Sequence, residues 1–212
     1  MYVVVDPAGT PLDRKMTVAT LQATVSEAAP AVSTGYFRPR QYTNGVNAAS
    51  TLNRMYARMI HLSAGTLDRM GVRHDNTTGA AGEVLRLGLY KDSNGRPGAL
   101  VVDAGTIDLA TAAAAVKTVT ISTAISTGVY WIAAARQGPS STAQTTCYGA
   151  LAQQSTYGVG GWAETRPGGS GELYDAMSTL YVASITGAFP DPFGTPTAGN
   201  PADVPLVAVR YT

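Results

Sequence analysis

The chain has 212 residues, enough for one β-rich domain with a short appendage or at most two small domains, and can bury a core without disulfides or structural metals. Fifteen basic and 14 acidic residues leave a net charge of +1, so no overall charge argues for nucleic acid as a partner. Only 14% of residues are charged, while 23 Gly and 12 Pro point to short strands and many corners. Cys147 is the single cysteine, which excludes a disulfide framework and a thiolate zinc site.

Residues 1–32 differ from the rest. "MYVVVDPAGT" has no basic n-region and reads as neither a signal peptide nor a membrane span. Tyr2–Val5 offers a short β segment, and Val18, Leu21 and Val25 then fall at helical spacing between a Thr17 cap and a Pro30 stop. One helix of about three turns is marginal alone. Tyr2, Val4, Val18, Leu21 and Val25 are therefore the candidate assembly residues of an anchoring arm.

From residue 33 onward strand follows strand. Met55, Ala57 and Met59 alternate with Tyr56, Arg58, Ile60 and Leu62. "TLDRMGVRH" places Leu67, Arg69 and Gly71 opposite Asp68, Met70 and Val72. "EVLRLGLYK" sets Leu85, Leu87 and Leu89 against Arg86, Gly88 and Tyr90. Asn94-Gly95 tolerates positive φ and predicts a hairpin turn, and Pro97-Gly98 predicts the next corner. "DLATAAAAVKT" reads as a loop or single turn as readily as a helix, with a strand in "VKTVTIS". "GVYWIAAAR" sets Val129, Trp131, Ala133 and Ala135 against Tyr130, Ile132 and Ala134, with Trp131 in the core. Period-two runs at this spacing predict an all-β, antiparallel sandwich or barrel over 33–212, and the sandwich is the preferred reading.

The pattern dissolves over about residues 137–176, a Gly-, Ser- and Gln-rich stretch carrying Tyr148, Tyr157, Trp162 and Tyr174. These aromatics are the candidate receptor- or glycan-binding residues. The equal alternative is that Trp162 and Tyr157 plug the end of the sandwich or an interchain seam. "STLYVASITGAF" resumes strand character, "DPFGTPTAGNPADVP" is a Pro-rich crossing, and "LVAVRYT" predicts a last strand.

Catalytic and metal-binding patterns are sparse. His74 and Asp75 are adjacent and point to opposite faces of a strand, and His61 reads as a packed or edge residue. "DSNG" lacks the later ligands of a calcium loop. Asp103 with Asp108, or Glu164, Glu172 and Asp175, are the carboxylates to weigh for glycoside hydrolysis, and solvated loop charges are the preferred reading. Arg38, Arg40, Arg54, Arg58, Arg69 and Arg73 form a basic cluster that strand alternation would split between faces. No catalytic residue, metal site or cofactor is expected.

The "GLY" strand at Gly88–Tyr90, the Asn94–Gly98 turn, "DAGT" at Asp103–Thr106 and "GVYW" at Gly128–Trp131, closing in "QG", carry a resemblance. Together they resemble a β-sandwich module of tailed-bacteriophage virion proteins: minor tail proteins, tail-fibre heads and head fibres. Thr51–Val72 is similar to that module's first strands, and the opening segment to the linkers that join it to a shaft or virion base. The resemblance covers roughly residues 34–137. It implies a jelly-roll-like sandwich, commonly a homotrimer, on the outside of a virion made in the host bacterial cytoplasm. The partners it implies are other tail or capsid proteins and a host-surface glycan or protein, without nucleic acid or membrane insertion. A tail fibre or tail-tip module is the first expectation, and a head fibre or capsid decoration protein docked through the arm is the second. Similar turn-and-"YW" patterns occur in bacterial carbohydrate-binding domains, so a glycan-binding or glycan-degrading module is the alternative from another class.

Overall fold

The computed structural model describes residues 36–37, 45–75, 79–111, 114–139, 145–148, 179–198 and 204–212. All belong to one unit, Thr34–Thr212. The predicted arm and helix over 1–32 lie outside the described residues.

Two antiparallel sheets face each other, and among the described residues there is no helix. The strands are β1 (Tyr36–Phe37), β2 (Gly45–Ala48), β3 (Met55–Leu62), β4 (Gly65–His74), β5 (Val84–Ser93) and β6 (Arg96–Asp108). They continue with β7 (Ala115–Ile125), β8 (Gly128–Gln137), β9 (Thr145–Tyr148), β10 (Thr179–Val182), β11 (Thr197–Ala198) and β12 (Val207–Tyr211). One sheet runs β11-β10-β3-β8-β5-β6. In the other, β7 takes one edge of β4 along its whole length. β12 and then β9, which meets His74, follow one another along the opposite edge. β1 and β2 lie outside these two. The chain changes sheet at most connections, the exceptions being β1–β2, β5–β6 and β10–β11, which gives the sandwich its jelly-roll character.

The core between the sheets follows from alternation. Leu85, Leu87 and Leu89 of β5 meet Ile60 and Leu62 of β3 and Tyr130, Ile132 and Ala134 of β8. Leu67, Met70 and Val72 of β4 and Val207, Val209 and Tyr211 of β12 close it from the opposite sheet. The buried rings of Tyr130 and Tyr211 stay satisfied because their hydroxyls donate to Ser126 O at 2.8 Å and Ser63 O at 2.9 Å. At one end, the buried Glu83 carboxylate lies 3.4 Å from Arg136 Nη1 and accepts from Ala80 N at 3.1 Å.

Three sequence expectations need correction. Leu67 and Met70 both reach the core, because the ladder slips at Asp68: Arg210 pairs with Arg69, but Tyr211 pairs with Leu67. The bulge resets the phase of alternation. Pro97-Gly98 is no corner. It lies within β6, where the register shifts between Asp92↔Pro97 and Tyr90↔Leu100. A proline is tolerated there because β6 is an edge strand. The strand character read into "STLYVASITGAF" stops at Val182. The hairpin itself is as expected, with Asn94 and Gly95 at φ 54 and 78, the two left-handed residues of a tight turn.

Candidate functional site

The two sheets differ on their outer faces. On the sheet containing β8, the outward row Leu180–Ala57–Ala133–Gly88–Asp103 runs across five strands in register. Its central residues are small, and they form a trench between the row Met59–Trp131–Tyr90–Leu100 and the row Val182–Met55–Ala135–Arg86–Thr106. Into it settles a strap, residues 183–196, whose Phe189 and Phe193 are buried. A Cβ on Gly88 would lie 2.6 Å from the Phe189 ring, so glycine is what lets that ring reach the sheet. Tyr90 meets Phe193 edge-on at 4.9 Å. Burial pushes the Tyr90 phenol well above its usual range, helped by the charges of Asp103 and Asp191.

Polar groups pin the strap from end to end. Ile185 N donates to Asn53 O at 2.9 Å, and Gln137 Nε2 donates to Ile185 O and Gly187 O at 3.0 and 2.7 Å. Phe189 N donates to Asp103 Oδ2 at 3.0 Å, and Tyr90 OH to Pro190 O at 2.8 Å. Leu100 N donates to Asp191 Oδ1 at 2.9 Å, and Phe193 N to Gly98 O at 3.0 Å. Asp103 is held in turn by Arg86 Nη1, at 2.8 and 2.7 Å to its two oxygens, while Arg86 Nε donates to Gln137 at 3.3 Å. Asp92 bridges Trp131 Nε1 at 2.8 Å and Gly95 N at 3.1 Å. The turn and the "DAGT", "GVYW" and "QG" segments thus converge on one structural clamp.

The opposite outer face is open. Across it run the rows Tyr36–Arg210–Arg69–Thr120, Ala208–Gly71–Thr118 and Arg73–Val116. Tyr36 is 44% exposed and Val116 58%, the two large hydrophobics exposed among the described residues. Arg210 grips both oxygens of Asp68, with Nε to Oδ1 at 2.9 Å, and stands 5.8 Å from the Tyr36 ring centroid. The hydrogen bond from Arg210 holds the Asp68 carboxyl below its ordinary value of 3.8. Arg69 lies 3.8 Å from Asp68, and Arg73 is exposed. Two guanidiniums, Arg210 and Arg69, meet one carboxylate here, with Arg73 exposed farther along the same face, beside an aromatic ring and a file of hydroxyls. Such a set offers stacking and hydrogen-bond donors, chemistry that is complementary to anionic or hydroxyl-rich groups.

Tyr157, Trp162 and Tyr174 lie outside the described residues, as do Glu164, Glu172, Asp175, Arg38 and Arg40. So do Tyr2, Val4, Val18, Leu21 and Val25. Tyr148 ends β9, its backbone opposite Gly45, and its side chain also lies outside the description. Asp103 belongs to the clamp. Asp108 accepts from Thr111 Oγ1 at 2.8 Å and Ala110 N at 2.9 Å, bonds that hold its carboxyl low. His74 is buried and His61 exposed. Of the described members of the basic cluster, Arg54 stacks over Tyr181 at 4.2 Å, Arg58 is buried, and Arg69 and Arg73 lie on the open face. Among the described residues no three His, Cys, Asp or Glu side chains gather in a way that would hold a metal ion. Sequence reasoning missed Tyr36 and Arg210, whose adjacency depends on pairing the two ends of the domain. Comparison with protein-family profiles, curated proteins and solved structures finds no match.

Proposed function

We propose that this chain is a non-enzymatic structural module of a bacteriophage virion, displayed at a tail fibre or tail tip and contributing to attachment to a host-surface glycan or protein. One observation carries this reading: the segments that resemble phage virion modules are the ones that meet in the strap clamp. Their side chains are spent on rigidity. Asp92, Asp103, Asp108, Asp191, Asp68 and Glu83 are each engaged in structural hydrogen bonds or ion pairs. A scaffold stiffened on one face and open on the other suits display, in which one surface must present a fixed pattern of groups. On the open face, Arg69, Arg73, Tyr36 and the threonines of β7 supply donors and a stacking ring for the carboxylates and hydroxyls of a cell-surface glycan. The trimer implied by the resemblance would be built by the arm.

Gold-labelled antibody raised against the chain, viewed on intact phage particles whose genome encodes it, tests the proposal. Label confined to the tail end is the expected result. Label scattered over the head would replace it with capsid decoration. Particles without label would overturn the virion reading, and a screen against host polysaccharides would then test a glycan-binding module.

A further inference from the structure

β6 and β7 are the terminal strands of their sheets and run close to one another. The half-buried hydrophobics at the margin of the central core are Val101, Val102, Ala104, Val119 and Ile121, and all five belong to these two strands. The sandwich is thus least sealed along this side. Among the described residues β7 pairs only with β4, and its other edge faces no strand. Free edges are ordinarily guarded by charge, proline, brevity or a bulge, and β7 has one register shift, between Leu67↔Thr123 and Arg69↔Thr120. β7 spans 11 residues, AVKTVTISTAI, with no proline and one charge. That charge, Lys117, is turned back onto its own chain, its ammonium donating to Asp108 O at 2.7 Å and Thr111 O at 3.0 Å.

The strand is also close to a palindrome about Thr120. Val119 mirrors Ile121, Thr118 mirrors Ser122, Val116 mirrors Ala124 and Ala115 mirrors Ile125, while Lys117 mirrors uncharged Thr123. The ladder to β4 slips once between Leu67 and Arg69, yet half-buried and exposed residues alternate along β7 without a break from Val116 to Ala124. An antiparallel strand pair with a two-fold axis at Thr120 therefore sets apolar residues opposite apolar and hydroxyls opposite hydroxyls, with no like charges facing. It places exposed Val116 against Ala124 of the second copy and extends the core margin through Val119 and Ile121.

We infer that β7 pairs edge to edge with β7 of a second copy of this chain, antiparallel and centred on Thr120, joining the two open sheets into one continuous face. Assembly through the first 32 residues is a separate contact, and the register of β7 distinguishes the two. Cysteine variants of the full chain test this, with the unaltered protein and its Cys147 as the control. On the axis, T120C brings two thiols directly opposite each other, about 5 Å apart at Cα. In T118C the same residues of the two copies are offset by four positions, about 13 Å, too far to bridge.

Under mild oxidation at micromolar concentration, T120C forms a covalent dimer on a non-reducing gel, while T118C and S122C alone do not. A mixture of T118C and S122C does. T120K, which sets two ammonium groups opposite each other, weakens self-association about fivefold or more in sedimentation. Two results would overturn the inference. One is T120C cross-linking no better than the unaltered chain while its circular dichroism stays native. The other is T118C cross-linking as fast as T120C. Should T120C fail to fold, the T118C and S122C mixture decides by the same criterion.

Discussion

The two outer faces of this sandwich are made from similar strands and have opposite fates. On one, alanines, a glycine and aromatic rings accept a strap that shares no regular structure with the sheet beneath it. On the other, arginines, threonines and one tyrosine stay in contact with solvent. The difference lies in the residues at alternate positions. A sheet whose two faces are both apolar must be covered twice, and β8, buried from Tyr130 to Gln137, is covered by the opposite sheet and by the strap. β7, which alternates exposed and half-buried residues, is covered once. Burial and exposure are thus assigned to different faces.

The sharpest way to break that comparison is to remove an anchor from the covered face. Phe193→Ala leaves a cavity over Tyr90 and is expected to cost about 3–5 kcal/mol in urea unfolding. Asp103→Ala strips Arg86 and the Phe189 amide of their acceptor, with an expected loss of about 1–3 kcal/mol by the same measurement. Gly88→Ala drives a methyl group into the Phe189 ring. A loss of about 1–3 kcal/mol is expected, with the damage confined to the strap in hydrogen exchange.

Smaller effects belong to the open face. Because Arg210 holds the Asp68 carboxyl below its ordinary value of 3.8, the ionised form is favoured in the folded state. Its stabilising contribution is complete above that ordinary value and is lost as pH falls through the lower folded one. Thermal melts of the unaltered protein and Asp68→Asn should therefore differ at neutral pH and converge under acid. The smallest effect is expected for Arg73→Ala and Thr118→Ala, each within about 0.5 kcal/mol of the unaltered protein. If the open face is the contact surface, the same two changes reduce binding to host cells.

Much of the scaffold was legible in the sequence. The leucines of β5 and the two files of β8 alternate so regularly that the sequence places them on opposite faces, and the Asn94-Gly95 turn follows from its chemistry. The phase slip at Asp68 was not legible, because a bulge adds a residue without changing composition. Nor was the strap. Residues 183–196 have no periodicity, and their order comes from Gln137 and Asp103, dozens of residues away along the chain. A signal was nevertheless present: Ala57, Ala133, Ala135 and Gly88 leave the middle of one face of the sheet with only small apolar side chains, and such a trench needs a cover. The open face depends on β12 bringing Arg210 beside Asp68 and Tyr36, a pairing of chain ends that local patterns do not encode.

The most direct test of the division between the faces is a paired unfolding experiment on Phe193→Ala and Thr118→Ala in urea. A large drop in midpoint is expected for the first, and for the second a stability within about 0.5 kcal/mol of the unaltered protein. Equal drops in the two variants, or an unchanged midpoint for Phe193→Ala, would contradict that division.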